Sequence, residues 1–296
     1  MLKHHFSEPV SPPRVVVLGA SGFVAAATVR RLVSRGVPVL ALPRTTLDLT
    51  HSEGCKKLAR ILRPDDTMLF VAAKAPVKNE EMLMENLRMG AAVSEAIRQT
   101  PVKHVVYVSS DAVYADNDKS LTEHSCAQPT TLHGVMHLAR EVMLANAFSG
   151  PLCFLRPTLI YGADDPHNGY GPNRFMRLAA ARLPIVLFGE GEERRDHIWI
   201  EDVAEIIVQI LMHGSKGVLN IATGTVTSFA DLAQIATTLF PGGGVKSSPR
   251  SGVIPHNGFR SFDTAALRQS FPDFQCAPVQ KCLEDLRNAY AASCLV

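Results

Sequence analysis

Gly19-Ala20-Ser21-Gly22-Phe23-Val24-Ala25 is the first segment of the chain whose residue types and spacing could do chemistry. A glycine at 19 permits a tight turn, and one at 22 lets the backbone approach a pyrophosphate. Ala25 is small enough for a following helix to pack on the preceding strand. The β-branched run Arg14–Leu18 lies before this loop, and Phe23–Arg35 reads as a helix with Val24, Val29, Leu32 and Val33 on one side. A helix N-terminus in that place offers free N–H groups to an anion. Gly19, Ser21, Gly22, Phe23 and Val24 are therefore expected along a bound dinucleotide. The next strand, Val37–Leu42, leads into Pro43-Arg44-Thr45-Thr46, with no acid placed to hold a ribose 2′-hydroxyl. Arg44 and the two threonine hydroxyls suit a 2′-phosphate instead. NADP is thus expected ahead of NAD, with Asp48 facing the adenine; the plainer reading of Arg44 is a solvated loop charge.

These residues need a scaffold, and the hydrophobic pattern supplies one. Apolar runs at 14–18, 37–42, 67–72, 104–109 and 152–155 alternate with amphipathic stretches at 23–35, 55–62, 80–99 and 130–148. The runs are continuous rather than alternating, as a parallel sheet covered on both faces requires. The fold class that follows is α/β, a Rossmann-type doubly wound parallel sheet with a smaller C-terminal substrate-binding portion. The expected division is a flexible lead-in over 1–13, a dinucleotide-binding domain over 14–165, and a mainly substrate-binding portion over 166–296 that returns some segments to the sheet. Beyond residue 165 the pattern predicts a loop at 163–172, a helix after it, a strand at 185–188, a loop at 189–195, and helices at 203–213 and 228–239. The stretch 242–262 is rich in Gly, Pro and Ser.

Composition narrows the function. Of 296 residues, 30 are basic and 28 acidic, a formal net charge of +2, which argues against a general nucleic-acid or membrane-surface binder. Cys55, Cys126, Cys153, Cys276, Cys282 and Cys294 form no C-x-x-C pair and are expected as reduced thiols of a cytoplasmic protein. The first thirteen residues have no apolar core of a signal peptide, and no run approaches the roughly 20 apolar residues of a membrane span.

Further motifs carry a resemblance. Val71-Ala72-Ala73, Asn86, Val106-Tyr107-Val108-Ser109-Ser110-Asp111-Ala112-Val113-Tyr114, Arg156-Pro157…Ile160-Tyr161-Gly162 and Arg195-Asp196…Glu201-Asp202-Val203 occur in order behind the glycine loop. Together they resemble the extended short-chain dehydrogenase/reductase family over about residues 14–290, within its nucleotide-sugar epimerase, dehydratase and 4-ketoreductase group. Leu47-Asp48-Leu49-Thr50 and Ser110-Asp111 are most similar to dTDP-4-dehydrorhamnose reductases. The resemblance implies that Ala72 and Ala73 lie beside the cofactor and that Ser110 orients a substrate oxygen, with Asp111 next to it. It also implies that Arg195 and Arg250 meet a nucleotide diphosphate, and that Asn173, Arg174 and Phe175 open a helix against the nucleotide. Tyr161 and Tyr114 fall at strand ends near the site.

In the family's Tyr-x-x-x-Lys motif, this chain has His133 and His137. Imidazole titrates near neutral pH and can exchange a proton, and residues four apart share a helix face. His133 is therefore expected as the acid–base group, with His137 beside it on the cofactor ribose. A metal shared by the two histidines, with His124 as a third ligand, is a weaker reading, and no metal is expected. The implied activity is an NAD(P)-dependent epimerase or reductase acting on a nucleotide-activated sugar by hydride transfer. A catalytically degenerate dinucleotide-binding sensor or scaffold is the alternative. A homodimer through helices 80–99 and 130–148 is expected, with no nucleic-acid or membrane partner.

Overall fold

The computed structural model describes residues 2–117 and 119–293. Six parallel strands form the main sheet: β1 (Val15–Leu18), β2 (Val39–Leu42), β3 (Thr67–Phe70), β4 (His104–Val108), β5 (Leu152–Pro157) and β9 (Gly217–Ile221). Their spatial order is β2-β1-β3-β4-β5-β9. Every residue of β1, β3 and β4 is buried, so continuous apolar runs here do mark two-sided cover.

The cover comes from α1 (Phe23–Ser34) and α6 (Ile200–His213) on one face, and from α2 (Gly54–Ile61), α3 (Glu80–Gln99) and α4 (Leu132–Ala147) on the other. Asn79 caps α3 by accepting from the Met82 N–H (2.9 Å), and Thr131 caps α4 by accepting from Gly134 (3.1 Å). Gly36, at φ +70, follows the end of α1 in the left-handed region. The chain leaves β1 toward β2 and returns on the other side as β3. The crevice of a doubly wound sheet therefore opens at the carboxyl ends of β1 and β3.

A second layer is built on β8 (Arg194–Trp199), flanked by β10 (Val226–Ser228), β12 (Phe259–Arg260) and β6 (Leu159–Tyr161). Strand β7 (Ile185–Phe188) pairs with β11 (Val245–Ser248). Helices α5 (Pro172–Ala180), α7 (Phe229–Leu239) and α9 (Val279–Ser293) close a separate core around Phe175, Phe229 and Leu283, while α8 (Ala265–Ser270) packs on β9.

Three expectations change. The predicted loop 189–195 ends in a strand, because Arg194 and Arg195 pair across β10 and β12, with Arg195 burying its charge in an ion pair with Glu193. The Gly/Pro/Ser-rich stretch 242–262 contains β11 and β12. The lead-in is not free: Lys3 and Lys216 exchange backbone hydrogen bonds of 2.9 and 2.8 Å, His4 Nδ1 meets the Ser215 hydroxyl at 2.7 Å, and His213 Nδ1 donates to the Phe6 carbonyl at 2.8 Å. The five described cysteines are free thiols, and Cys294 lies outside the described residues. Among the described residues, no helix is long and apolar enough to cross a membrane.

Candidate active site

Gly19 stands at φ +84, and a Cβ there would lie 2.6 Å from the Ala72 Cα, so the turn between β1 and α1 requires glycine. Gly22 is the N-cap of α1 and brings no side-chain hydrogen bond to the helix end. The first N–H groups of α1 thus lack a side-chain cap beside a cavity of about 270 Å³ lined by Gly19, Ser21, Gly22, Arg44, Asp48 and Ala72. Ala73 also lines it. These features fit a dinucleotide: a close backbone approach, helix N–H groups and an open crevice.

Arg44 reaches Asp48 at 3.2 Å but keeps 64% of its side chain exposed. Asp48 also accepts from the Thr50 N–H (2.9 Å) and hydroxyl (2.6 Å), and these bonds hold its carboxyl below its ordinary pKa. Phe23 and Val24 are half-buried, packed on the apolar cores around α1 rather than lining the cavity.

Ser110 caps a single 3-10 turn at Asp111–Val113, its hydroxyl oxygen accepting from the Ala112 N–H at 3.1 Å. That turn and α4 are in close contact, since a Cβ at Gly134 would lie 2.0 Å from the Ala112 carbonyl oxygen. Gly134 thereby lets the first turn of α4, and His133 with it, approach Ser110 and Asp111. The rings of His133 and His137 meet edge to face at 4.7 Å. Among the described residues, the buried Nδ1 of His133 has no hydrogen-bond partner. Burial pushes the His133 pKa down, His167 and Arg140 push the same way, and Asp111 opposes them.

His137 differs from its expected role on the cofactor. It is buried, it does not line the dinucleotide cavity, and its Nδ1 lies 2.7 Å from the Tyr107 hydroxyl. Burial, His133 and Arg140 together push its pKa well below the ordinary histidine value, so it is neutral. Among the described residues, no group of three or more His, Cys, Asp or Glu is set to hold a metal.

A positive charge does sit here, on a residue that sequence reasoning passed over. Arg140 is fully buried on α4, donating to the Asn86 carbonyl (2.9 and 2.7 Å), the Asn86 side-chain oxygen (3.0 Å) and the Ala72 carbonyl (2.9 Å). Its guanidinium lies 4.9 Å from the Phe70 ring centroid. None of these partners carries a charge. Arg140 passes as an ordinary polar helix residue in a one-dimensional reading; its only signal is a position one turn past His137 on the same face. Beside this cluster, Glu141 accepts from Arg156 at 3.0 and 2.6 Å and from the Ser109 hydroxyl at 2.6 Å, tying α4, β5 and β4 together.

On the substrate side, Arg195 and Arg250 converge on a carboxylate of the chain itself. Glu193 accepts from Arg195 and, at 3.1 Å, from Arg250. Asp111 is held by Arg260 at 3.0 Å. Asn173 is buried, its oxygen accepting from the Gly162 N–H (3.1 Å) and its amide donating to Asp165 (2.7 Å), so its side chain fixes the 162–171 loop rather than facing a ligand. Of its neighbours, Phe175 belongs to the core and Arg174 is exposed. Tyr161 is also a core residue, its ring 5.2 Å from that of Trp199. Tyr114 donates to Asn220 at 2.6 Å and stays buried. Burial pushes the pKa of both tyrosines up, leaving neither poised to move a proton.

The chain is similar to known proteins in sequence and fold. The profile of the NAD dependent epimerase/dehydratase family matches residues 15–222. A trifunctional UDP-glucose 4,6-dehydratase/UDP-4-keto-6-deoxy-D-glucose 3,5-epimerase/UDP-4-keto-L-rhamnose-reductase of Arabidopsis thaliana is 25% identical over 266 residues, covering 77% of this chain and 40% of the relative. The chain thus spans about two fifths of that relative's length. A dTDP-4-dehydro-6-deoxy-D-allose reductase of Streptomyces bikiniensis is 27% identical over 266 residues, covering 75% and 79%. Among solved structures, MoeE5 in complex with UDP-glucose and NAD superposes with a TM-score of 0.79 at 23% identity, covering 95% and 99% of the two chains. The chain belongs to the NAD dependent epimerase/dehydratase family, within the extended short-chain dehydrogenase/reductases; of its structural neighbours, MoeE5 is a complex with NAD and a GDP-L-fucose synthetase of Naegleria fowleri is bound to NADP.

Proposed function

We propose that this family member is an epimerase or reductase of a nucleotide-activated sugar in which His133 exchanges the substrate proton. The observation that carries the reading is His133 itself. It is a neutral imidazole with a buried, unpartnered Nδ1 among the described residues, held against the Ser110–Asp111 turn by the close approach at Gly134. Bound NAD(P) supplies the hydride donor or acceptor. Ser110, at the end of β4, orients the sugar oxygen by a hydrogen bond from its hydroxyl. A neutral His133 takes the proton of a sugar hydroxyl as that carbon is oxidised, and a protonated His133 returns one to the oxygen as a ketone is reduced.

His137 does not supply the charge that a lysine would. Arg140, three residues on, carries a buried guanidinium that donates to the Ala72 carbonyl at 2.9 Å. The exposed Arg44 guanidinium favours NADP over NAD. The exposed Met84, Val135 and Val142 on α3 and α4 favour a homodimer through those helices, and the family's sugar chemistry suits a cytoplasmic setting.

Calorimetric titration with NADP and NAD, each with and without UDP-, dTDP- and GDP-sugars, tests the reading. Tighter binding of one nucleotide sugar in the presence of cofactor supports it. A turnover loss of roughly 10²–10⁴-fold in His133→Ala would then assign the proton exchange. Cofactor binding with no response to any nucleotide sugar would sink the enzyme and favour a sensor or scaffold.

A further inference from the structure

A second cavity, of about 480 Å³, shares no lining residue with the dinucleotide crevice of about 270 Å³. It is bordered by β10, by the start of α8 and by the segment that leads into α9, and its size is that of a small-molecule site. His197, on β8, stands in its wall. This residue is 5% exposed, and neither ring nitrogen has a hydrogen-bond partner among the described residues. Thr227 lies opposite Arg195 across the β8–β10 pair, and alternate residues of a strand share a face. The His197 ring is therefore on the Thr227 side of this sheet, and Thr225 and Thr227 line the cavity with it. Burial holds the His197 pKa at about 3, so the ring is neutral and carries one donor and one acceptor. Buried polar groups are nearly always paired, and this pair of nitrogens is left open to a bound molecule.

Another part of the wall is electropositive. Arg268 lines the cavity, is exposed, and donates to the Thr264 hydroxyl at 2.5 Å. Unlike Arg195, Arg250 and Arg260, it forms no ion pair among the described residues. Helix α9 begins here: Pro278, Val279 and Gln280 line the cavity, and the Pro278 carbonyl accepts from the Cys282 N–H at 3.1 Å. A proline has no side-chain acceptor, so the first N–H groups of this helix receive no cap from that position. Asp196 and Asp202 do not line the cavity; they accept from the Thr223 and Gly224 N–H groups (3.0 and 2.7 Å) and from the Ala277 N–H (2.9 Å). An uncapped helix start beside an unpaired guanidinium favours an oxyanion. We propose that this cavity is a second binding site, for a small hydroxylated oxyanion. Its phosphate or carboxylate would lie on Arg268 and the start of α9, and its hydroxyl groups on His197 and the threonines. Ser110, His133 and the glycine loop do not border this cavity, so the site holds whether or not the substrate is a nucleotide sugar.

Threonine-methyl NMR of the full chain, saturated with NAD(P), tests it. The probes are glucose 6-phosphate, gluconate, inorganic phosphate and glucose. Glucose 6-phosphate or gluconate is expected to shift the Thr225 and Thr227 methyl signals saturably, and at lower concentration than inorganic phosphate or glucose. Which of the two acts separates a phosphate from a carboxylate as the anionic group. Arg268→Gln is expected to weaken that binding about tenfold or more, the loss of a charge-assisted hydrogen bond. His197→Phe fills the same space without polar atoms and is expected to weaken the hydroxylated probe about threefold or more. The proposal is overturned if no probe shifts these methyl signals saturably, or if the affinity is unchanged in either variant. It is overturned equally if inorganic phosphate binds as tightly as glucose 6-phosphate, which would mark an adventitious ion only.

Discussion

Removing the Glu141 carboxylate is the most direct test of how the active-site helix is anchored. Arg156 and Glu141 expose only 8% and 5% of their side chains and meet at 2.6 Å. Glu141→Ala leaves the Arg156 guanidinium buried, with the Tyr114 ring face at 4.8 Å as its main remaining neighbour. Leaving one partner of a buried pair uncompensated costs about 3–5 kcal/mol. For a chain of this size each kcal/mol lowers Tm by roughly 2 °C, so a fall of roughly 6–10 °C is expected. The Ser109 hydroxyl, which donates to Glu141 at 2.6 Å, loses its acceptor as well.

Urea unfolding of Glu141→Ala, Arg156→Met and the pair Glu141→Leu/Arg156→Met gives the cycle. Because exchanging a whole buried ion pair for apolar groups is often close to neutral, the double variant is expected to recover most of what Glu141→Ala loses. A single-variant loss below about 1 kcal/mol would refute the reasoning. It would mean that water reaches Arg156 and that the pair does not lock α4 to β5.

Two further outcomes follow from the same geometry. Gly134→Ala places a methyl 2.0 Å from the Ala112 carbonyl oxygen and 2.7 Å from the Pro129 Cβ. It should cost about 1–3 kcal/mol by overpacking, visible in denaturant titration, and lower turnover disproportionately by moving His133 away from Ser110. Stability should also fall as pH drops below the ordinary histidine pKa. Burial holds His104 down at about 4, His197 at about 3 and His137 well below 6.5, so unfolding takes up protons at these sites near pH 5. Burial raises Asp196 to about 6 and raises Asp202 too, and these acids release protons on unfolding and oppose the trend. A net uptake of one to two protons gives a slope of roughly 1.4–3 kcal/mol per pH unit near pH 5. A flat profile from pH 6.5 to 4.5 in thermal melts would contradict it.

The glycine loop and the parallel strands were legible because each is written in consecutive residues. Gly19 must be glycine for its φ and for the nearness of Ala72, and the buried runs of β1, β3 and β4 have only one arrangement that covers both faces. The positions of Ser110 and His133 followed from the family spacing. What the charged residues do was not legible, because it depends on partners far along the chain. Glu193 meets Arg250 across 57 residues, Arg140 meets Asn86 across 54, and Tyr114 meets Asn220 across 106. Asn173 and Tyr161 look like ligand contacts in one dimension and become supports in three. The start of strand β8 reads as loop because it carries Arg195 and Asp196, which are hidden by pairing rather than by apolarity.

The tethered lead-in has a practical consequence. Residues 3–6 dock against residues 213–216, and the small cavity they help to close is lined by Thr67, Lys103, His104 and Pro151, at the starts of β3, β4 and β5. The dinucleotide crevice opens at the opposite, carboxyl ends of the strands. An immobilisation handle joined through residue 2 would therefore seat the molecule with its crevice turned away from the support. Sensor chips or resin beads loaded that way should present the cleft to flowing ligand with access close to that in free solution.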